Sequence, residues 1–366
     1  MKTRVLVITG FCTACLLVGC VTTGKSFYFR PEPVSILHQA ADRVLIDFPS
    51  PPPFNWGEGV LMAGMMRAYE VTNDSRYLNF VRNWADHWKR KGIGPLLEKR
   101  GYCGHWGPGY PVLMLYEVTH NSDHLSLGKQ VVDFMLNEAT RTRDGGLDHW
   151  RNNRQLWVDT LFMCCPPFAN LGRLQSRPEL ISEAAAQLYV FSRHLQNPKN
   201  GLFYHMYDEA KDSRTNEFWG RGNGWVAMSY VEVLKHLDPN SSLYINLARD
   251  FKVQAQGLLS MQDGKSGLWH TVLDRNDSYL ETSASAMILY SLVEGGRLEI
   301  INTVPRYRIR KAWNGLVSKV SGNGRVGDVS AGTGPSNFEK YNAIARGTET
   351  WGTGALLLAA SALSSE

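Results

Sequence analysis

The chain has 366 residues and a net charge of +5; 43% of its residues are hydrophobic and 20% charged, and it carries 11 Trp, 15 Tyr and 14 Phe. So much apolar and aromatic surface supplies a core and excludes a disordered, collagenous or low-complexity chain. Length alone allows two domains of about 150 residues or one large barrel, and the near balance of charge predicts no nucleic-acid partner.

The first segment has the pattern of an export signal: Lys2 and Arg4 precede an apolar stretch from Val5 to Gly19, shorter than the about 20 residues that span a bilayer. It ends at Leu17-Val18-Gly19-Cys20, which resembles a bacterial lipobox in which small residues admit the peptidase and Cys20 takes the lipid. An ordinary cleaved signal is the alternative. Residues 1–19 are therefore expected to be a lipoprotein signal peptide and 20–31 a lipidated tether, with membrane attachment through Cys20 only. Val21 and Thr22 follow Cys20. Neither is the Asp that retains many lipoproteins at the inner membrane, so the expected location is the outer membrane or cell surface of a Gram-negative bacterium. Cys12 and Cys15 leave with the signal, and Cys103, Cys164 and Cys165 are too few for a disulfide framework.

From there the chain reads as mostly α, because apolar residues recur at spacings of three and four near 33–47, 58–72, 75–91, 109–119, 122–140, 157–174, 178–196, 223–237, 241–262, 282–297, 302–321 and 347–364. Strand-like alternation is scarce. Trp-Gly-x-Gly occurs four times, at Trp56, Trp106, Trp219 and Trp351, each time before an apolar stretch. Very apolar stretches alternate with amphipathic ones such as Tyr77 to Lys91, which suggests an inner and an outer ring. Twelve helices make six hairpins, so residues 32–366 are expected to form one all-α domain, a six-hairpin α/α barrel with its functional loops at the inner-helix starts. The motif's glycines either let backbone approach a ligand or merely pack hairpins together. Three further loops place a His and an aromatic after Gly-Leu, with His149, His205 and His270, a composition suited to a sugar.

Six segments in order resemble the unsaturated uronyl hydrolases, glycoside hydrolase family 105 with its relative family 88. They are Phe54 to Met62, Gln155 to Met163, Tyr204 to Asp208, Trp219 to Trp225, Glu281 to Met287 and Trp351 to Gly354. The resemblance runs from about residue 42 to residue 364 and implies the same six-hairpin barrel. It also implies a substrate: an oligosaccharide left by a polysaccharide lyase, whose terminal uronic acid has a double bond between carbons 4 and 5. An acid protonates carbon 4, water adds at carbon 5, and the hemiketal opens and expels the remaining saccharide. One carboxyl can give the first proton and accept the second, unlike the two carboxylates of ordinary glycosidases.

Within that resemblance Asp159, in Trp157-Val158-Asp159-Thr160, matches the catalytic acid; read alone, the residue could equally be a helix N-cap. Arg221 is expected to hold the substrate carboxylate in a bidentate fork. His205 and His149 are candidate partners of the sugar or the water, and either could be a buried structural His. Trp56, Trp219 and Trp225 are candidate stacking walls, against simple core packing. Many relatives carry an Asp where this chain has Gly104, so His105 and Trp106 are expected to take over part of that surface. No metal or cofactor is expected: there is no His-Glu-x-x-His, no mature Cys-x-x-Cys and no nucleotide-binding glycine loop after a strand. The leading expectation is a hydrolase of unsaturated galacturonyl- or glucuronyl-rhamnose oligosaccharides. Its competitors are another α/α-barrel glycosidase or lyase and a non-catalytic glycan-binding lipoprotein.

Overall fold

An amphipathic pattern becomes a helix here for visible local reasons. In α3 (Ser75–Lys91) the side chains of Tyr77, Leu78, Val81, Trp84, Ala85 and Trp88 fall on one buried stripe. Asp74 caps the start by accepting from the Arg76 amide, Lys89, Arg90 and Lys91 crowd the negative end of the dipole, and Gly92 at φ 79° ends the helix. The computed structural model describes residues 31–301 and 304–365. The expected signal and the lipobox at Cys20 lie outside these residues.

The remaining helices are α1 (Pro33–Asp47), α2 (Trp56–Thr72), the short α4 (Gly94–Glu98), α5 (Gly109–Thr119), α6 (Ser122–Asn137), α7 (Asp159–Leu174) and α8 (Pro178–Leu195). After them come α9 (Gly220–Leu234), α10 (Ser242–Ser260), α11 (Thr282–Arg297), α12 (Arg306–Val317), the short α13 (Phe338–Asn342) and α14 (Thr350–Ser364). Helices α2, α5, α7, α9, α11 and α14 pack each on the next, and α14 closes on α2. That is the inner ring. Helices α1, α3, α6, α8, α10 and α12 lie outside it, so the fold is the expected six-hairpin barrel around one continuous apolar core.

The Trp-Gly-x-Gly motif forms or immediately precedes the first turn of four of the six inner helices, α2, α5, α9 and α14. Its glycines serve helix approach. A Cβ on Gly59 would lie 2.9 Å from Pro108 N of the next copy, and one on Gly354 would lie 2.5 Å from the Val60 carbonyl. The packing reading of the motif is therefore the one that this geometry carries, and the close approach draws the inner-helix starts together. Short strands, which periodicity did not reveal, decorate that end: β1 (Gln155–Trp157), β2 (Met206–Asp208) and β3 (Ser213–Arg214) form one antiparallel sheet, and β4 (Val329–Ser330) pairs with β5 (Arg346–Gly347).

The other end of the ring is tied by buried charge. Glu232 accepts from Tyr110 Oη at 2.7 Å, from Lys235 Nζ at 2.8 Å and from Tyr290 Oη, while Lys235 also reaches Glu294 at 3.1 Å. Burial would raise the Glu232 carboxyl, but Lys235, Arg67 and the Tyr290 hydroxyl outweigh it and bring the pKa down to about 2. A depressed folded-state pKa gives stability that is complete above the ordinary glutamate range and lost as pH falls toward about 2. Glu232→Ala should cost about 3–5 kcal/mol, because it leaves buried cations short of a partner. Urea unfolding checks this, and an unchanged midpoint would show the network to be dispensable.

Candidate active site

Strand β1 delivers the central carboxylate. Its register sets Trp157 opposite Met206, and the Val158 amide donates to the His205 carbonyl at 3.0 Å, so the chain turns into α7 beside His205. Asp159 is the first residue of α7 and not its N-cap: Val158 holds the cap position, and no side-chain capping bond is made there. The Asp159 carboxylate turns instead to His205, whose Nε2 stands 3.1 Å from Oδ2. Asp159 keeps 21% of its side chain exposed, whereas His205 has none.

The proton on His205 is fixed by what lies behind it. Its Nδ1 is 2.6 Å from Tyr341 Oη, and the Ser336 amide donates to the same hydroxyl at 3.1 Å. The Asp159 carboxylate on the other side of the ring can only accept, so in a neutral ring Nδ1 is the acceptor and the Tyr341 hydroxyl points its proton at it. His205 then carries its hydrogen on Nε2 and donates it to Asp159. Burial lowers the His205 pKa despite the neighbouring carboxylate, which keeps the ring neutral. For Asp159, burial pushes the pKa up, but the hydrogen bond from His205, with the charge of Arg221, brings it below the ordinary aspartate value. The resting carboxyl is therefore ionised.

Arg221 departs from expectation. Its guanidinium is buried, donating through Nη1 to the Ser330 carbonyl at 2.8 Å and Oγ at 2.7 Å, and through Nη2 to the Ala331 carbonyl and Thr333 Oγ1, both at 2.9 Å. The fork clamps a loop of its own chain, so it is not a free bidentate receptor for a carboxylate. What remains is its charge, felt at Asp159, and its Nε, which with Trp219 Nε1 and Trp225 Nε1 has no hydrogen-bond partner among the described residues. Trp219 and Trp225 are likewise buried: Trp219 stacks on His205 with centroids 4.2 Å apart, and Trp225 on Phe162 at 5.2 Å. They are a supporting layer and not open walls.

The partly exposed aromatic faces belong to Trp56, which meets the Trp225 edge at 6.2 Å, and to Trp157 and Tyr102. Trp157 and Tyr102 were not anticipated as site residues, although Trp157 stands in the very tetrapeptide that singled out Asp159. His149 stacks on Trp157 at 4.0 Å and turns its Nδ1 to Cys103 Sγ at 3.2 Å; burial takes its pKa down to about 3. It is a neutral, structural ring. At Gly104 a Cβ would lie 2.3 Å from the Tyr102 ring and 2.9 Å from Trp56, so the Tyr102 ring fills the space where a side chain would stand. His105 stays partly exposed against the Tyr102 edge, with its pKa lowered by burial and by Lys99, while Trp106 is wholly buried and offers no surface. Among the described residues no group of three His, Cys, Asp or Glu side chains is placed to hold a metal.

Known proteins are similar to this chain in sequence and fold. The profile of Glycosyl Hydrolase Family 88 matches residues 32–364. An unsaturated rhamnogalacturonyl hydrolase of Bacillus subtilis is 31% identical over 83% of this chain and 88% of its own, and an unsaturated 3S-rhamnoglycuronyl hydrolase of an Alteromonas species is 26% identical over 84% and 76%. Among solved structures, a possible member of the GH105 family from Salmonella enterica superposes with a TM-score of 0.82 at 26% identity, covering 93% of this chain and 96% of that one.

Tyr341→Phe should release His205 Nδ1, mix the two imidazole tautomers and raise the Asp159 pKa; nitrogen-15 chemical shifts of His205 that still report the Nε2–H form alone would contradict the assignment. Arg221→Met should cost about 2–4 kcal/mol in denaturant unfolding, because the Ser330 and Ala331 carbonyls lose their donors. A stability equal to wild type would show that the clamp contributes nothing.

Proposed function

The chain belongs to glycosyl hydrolase family 88, and from that premise we propose that Asp159 is the catalytic acid. It is a glycoside hydrolase that removes a 4,5-unsaturated uronic acid from the non-reducing end of an oligosaccharide. The observation that carries the assignment to Asp159 is a half-buried carboxylate held at the head of an inner helix by one neutral His, with one oxygen left for a ligand.

The resting carboxylate has to gain a proton before it can give one. A bound unsaturated uronate brings its own negative charge and displaces water, and both raise the Asp159 pKa. The protonated carboxyl then breaks its O–H bond and delivers the proton to carbon 4, the double-bond electrons forming the new C–H bond while the ring oxygen shares the positive charge at carbon 5. Water adds to carbon 5 and returns its proton to Asp159. The resulting hemiketal opens, and the remaining saccharide leaves with its glycosidic oxygen. Throughout, the His205 Nε2–H anchors one carboxylate oxygen, which fixes the direction of the other.

The relatives' activities point to unsaturated galacturonyl- or glucuronyl-rhamnose as the substrate, and the partly exposed faces of Trp56, Trp157 and Tyr102 suit the C–H surface of such sugars. The positive field of Arg221, buried beneath the site and felt at Asp159, suits its carboxylate without contact. Leu17-Val18-Gly19-Cys20 further supports lipidation at Cys20 and residence in the cell envelope. Mass spectrometry of the mature N-terminus tests this, with an unmodified terminus at another position as the adverse result.

Asp159→Asn should reduce turnover by more than about 10²-fold while leaving the fold intact, read as the loss of the substrate's conjugated ultraviolet absorbance. Because the acid is ionised in the free enzyme and regains its proton in the complex, the alkaline limb of kcat should lie at higher pH than that of kcat/KM. Coincident limbs, or a folded Asn variant of near-normal activity, would remove Asp159 from the role.

A further inference from the structure

An open cavity of about 490 Å³ lies beside the catalytic centre at the same end of the barrel, lined by Arg100, Trp150, Arg151 and Asn152. Two loops build it. The Cys103 amide donates to the His149 carbonyl at 3.2 Å and the Arg151 amide to the Arg100 carbonyl at 2.8 Å, so the two arginines are set side by side across the seam. The backbone on either side is unusual: Arg100, Asn152 and Arg154 all have positive φ, at 59°, 62° and 52°, a conformation that residues with a Cβ rarely adopt. Of the two arginines, Arg100 leaves the chain from such a position.

A run of packed rings links the cavity wall to the centre. Trp150 stacks on Tyr102 with centroids 4.3 Å apart and planes 15° from parallel, and Tyr102 meets His149 and His105 edge-on at 5.5 Å. His149 in turn stacks on Trp157, two residues before Asp159. The local charge is positive. Arg151 is partnered by Glu98 at 2.8 Å and Arg154 by Glu209 at 3.1 Å, but no described acid pairs with Arg100 or with the adjacent Lys99.

We propose that this cavity is the subsite for the saccharide beyond the unsaturated uronic acid, and that it selects an acidic one: Trp150 faces the sugar ring, while Arg100 and Arg151 read a sulfate ester or carboxylate. The proposal rests on the reaction assigned above. The unsaturated sugar is a chain end and sits at Asp159, so the rest of the saccharide must run outward over the rim. A guanidinium pair on an aromatic floor recognises an oxyanion on a sugar. Asp159 and its shell take no part in this recognition.

The test measures binding by calorimetry on Asp159→Asn protein, with and without Arg100→Gln and Arg151→Gln. Three oligosaccharides with the same unsaturated end are compared: a neutral rhamnose disaccharide, its rhamnose-sulfated form, and a longer chain with a second uronate. The double substitution should weaken an acidic ligand about ten- to a hundredfold, as expected for hydrogen bonds to a charged group, and leave the neutral disaccharide unchanged. Added salt should narrow the difference. Loss confined to the sulfated ligand assigns a sulfate reader, and loss confined to the longer chain a carboxylate reader; either upholds the proposal. Equal affinity for all three in both backgrounds, or equal weakening of all three, overturns it. Turnover of the neutral disaccharide by the unsubstituted enzyme checks the reaction separately: if that substrate and both acidic ones are untouched, the reaction assignment fails, whereas turnover without charge-selective binding sinks the subsite alone.

Discussion

The contact between His205 Nε2 and the Asp159 carboxylate is the point from which the functional end of the barrel is organised. A carboxylate at the first position of an inner helix has free amides close by that it could cap, and here it does not do so. It is drawn away by a donor that is neutral, buried and oriented by a hydroxyl and an amide from a distant part of the chain. The chain of hydrogen bonds from Ser336 through Tyr341 and His205 to Asp159 joins the loop before α14 to the head of α7. A one-sided anchor of this kind leaves the second carboxylate oxygen directed and unshared, which is what a proton donor requires.

The layer below is built from charges that find their partners on backbone. Glu281 accepts from the Ser330 amide at 3.0 Å while Arg221 donates to the Ser330 carbonyl at 2.8 Å, so one peptide segment carries an anion on one side and a cation on the other. Glu281 also accepts from the Ser283 and Ala284 amides and so caps α11. Each buried charge is thereby hydrogen-bonded, the condition under which burial is tolerable. Arg221 shapes the site by holding its loop and by its field at Asp159, and a charged residue in a family motif need not touch the ligand to be required by it.

The two ends of the ring use the same chemistry to opposite effect. At the Glu232 end, carboxylates, Lys235 and two tyrosines satisfy one another inside the ring and lock the inner helices. At the Asp159 end the glycines at the inner-helix starts bring the helices together while the loops above them carry the polar groups, and the carboxylate keeps a face to solvent. Stability and chemistry are thus separated along the barrel axis, as expected where a site needs polar groups that are incompletely paired.

The sequence by itself determined the twelve long helices of the described residues and their pairing into an inner and an outer ring, because helical periodicity and inner-ring hydrophobicity are local patterns set by the same residues that bury themselves; Asp159 stood out only through the family resemblance of Trp157-Val158-Asp159-Thr160. It also brought His205, Trp219 and Arg221 into one candidate group. What it left undecided was orientation. Whether Asp159 caps or faces His205, and whether the Arg221 fork is free or spent on Ser330, Ala331 and Thr333, depends on residues more than a hundred positions away in Arg221's case and on the placement of Tyr341 in that of His205. The strands β1 to β5, two or three residues each, are too short to leave a period, and Tyr102 enters the site only because Gly104 leaves room for its ring. Such contacts are made between segments that carry no mark of each other, so only the closed ring, by fixing the distances between its hairpins, could decide them.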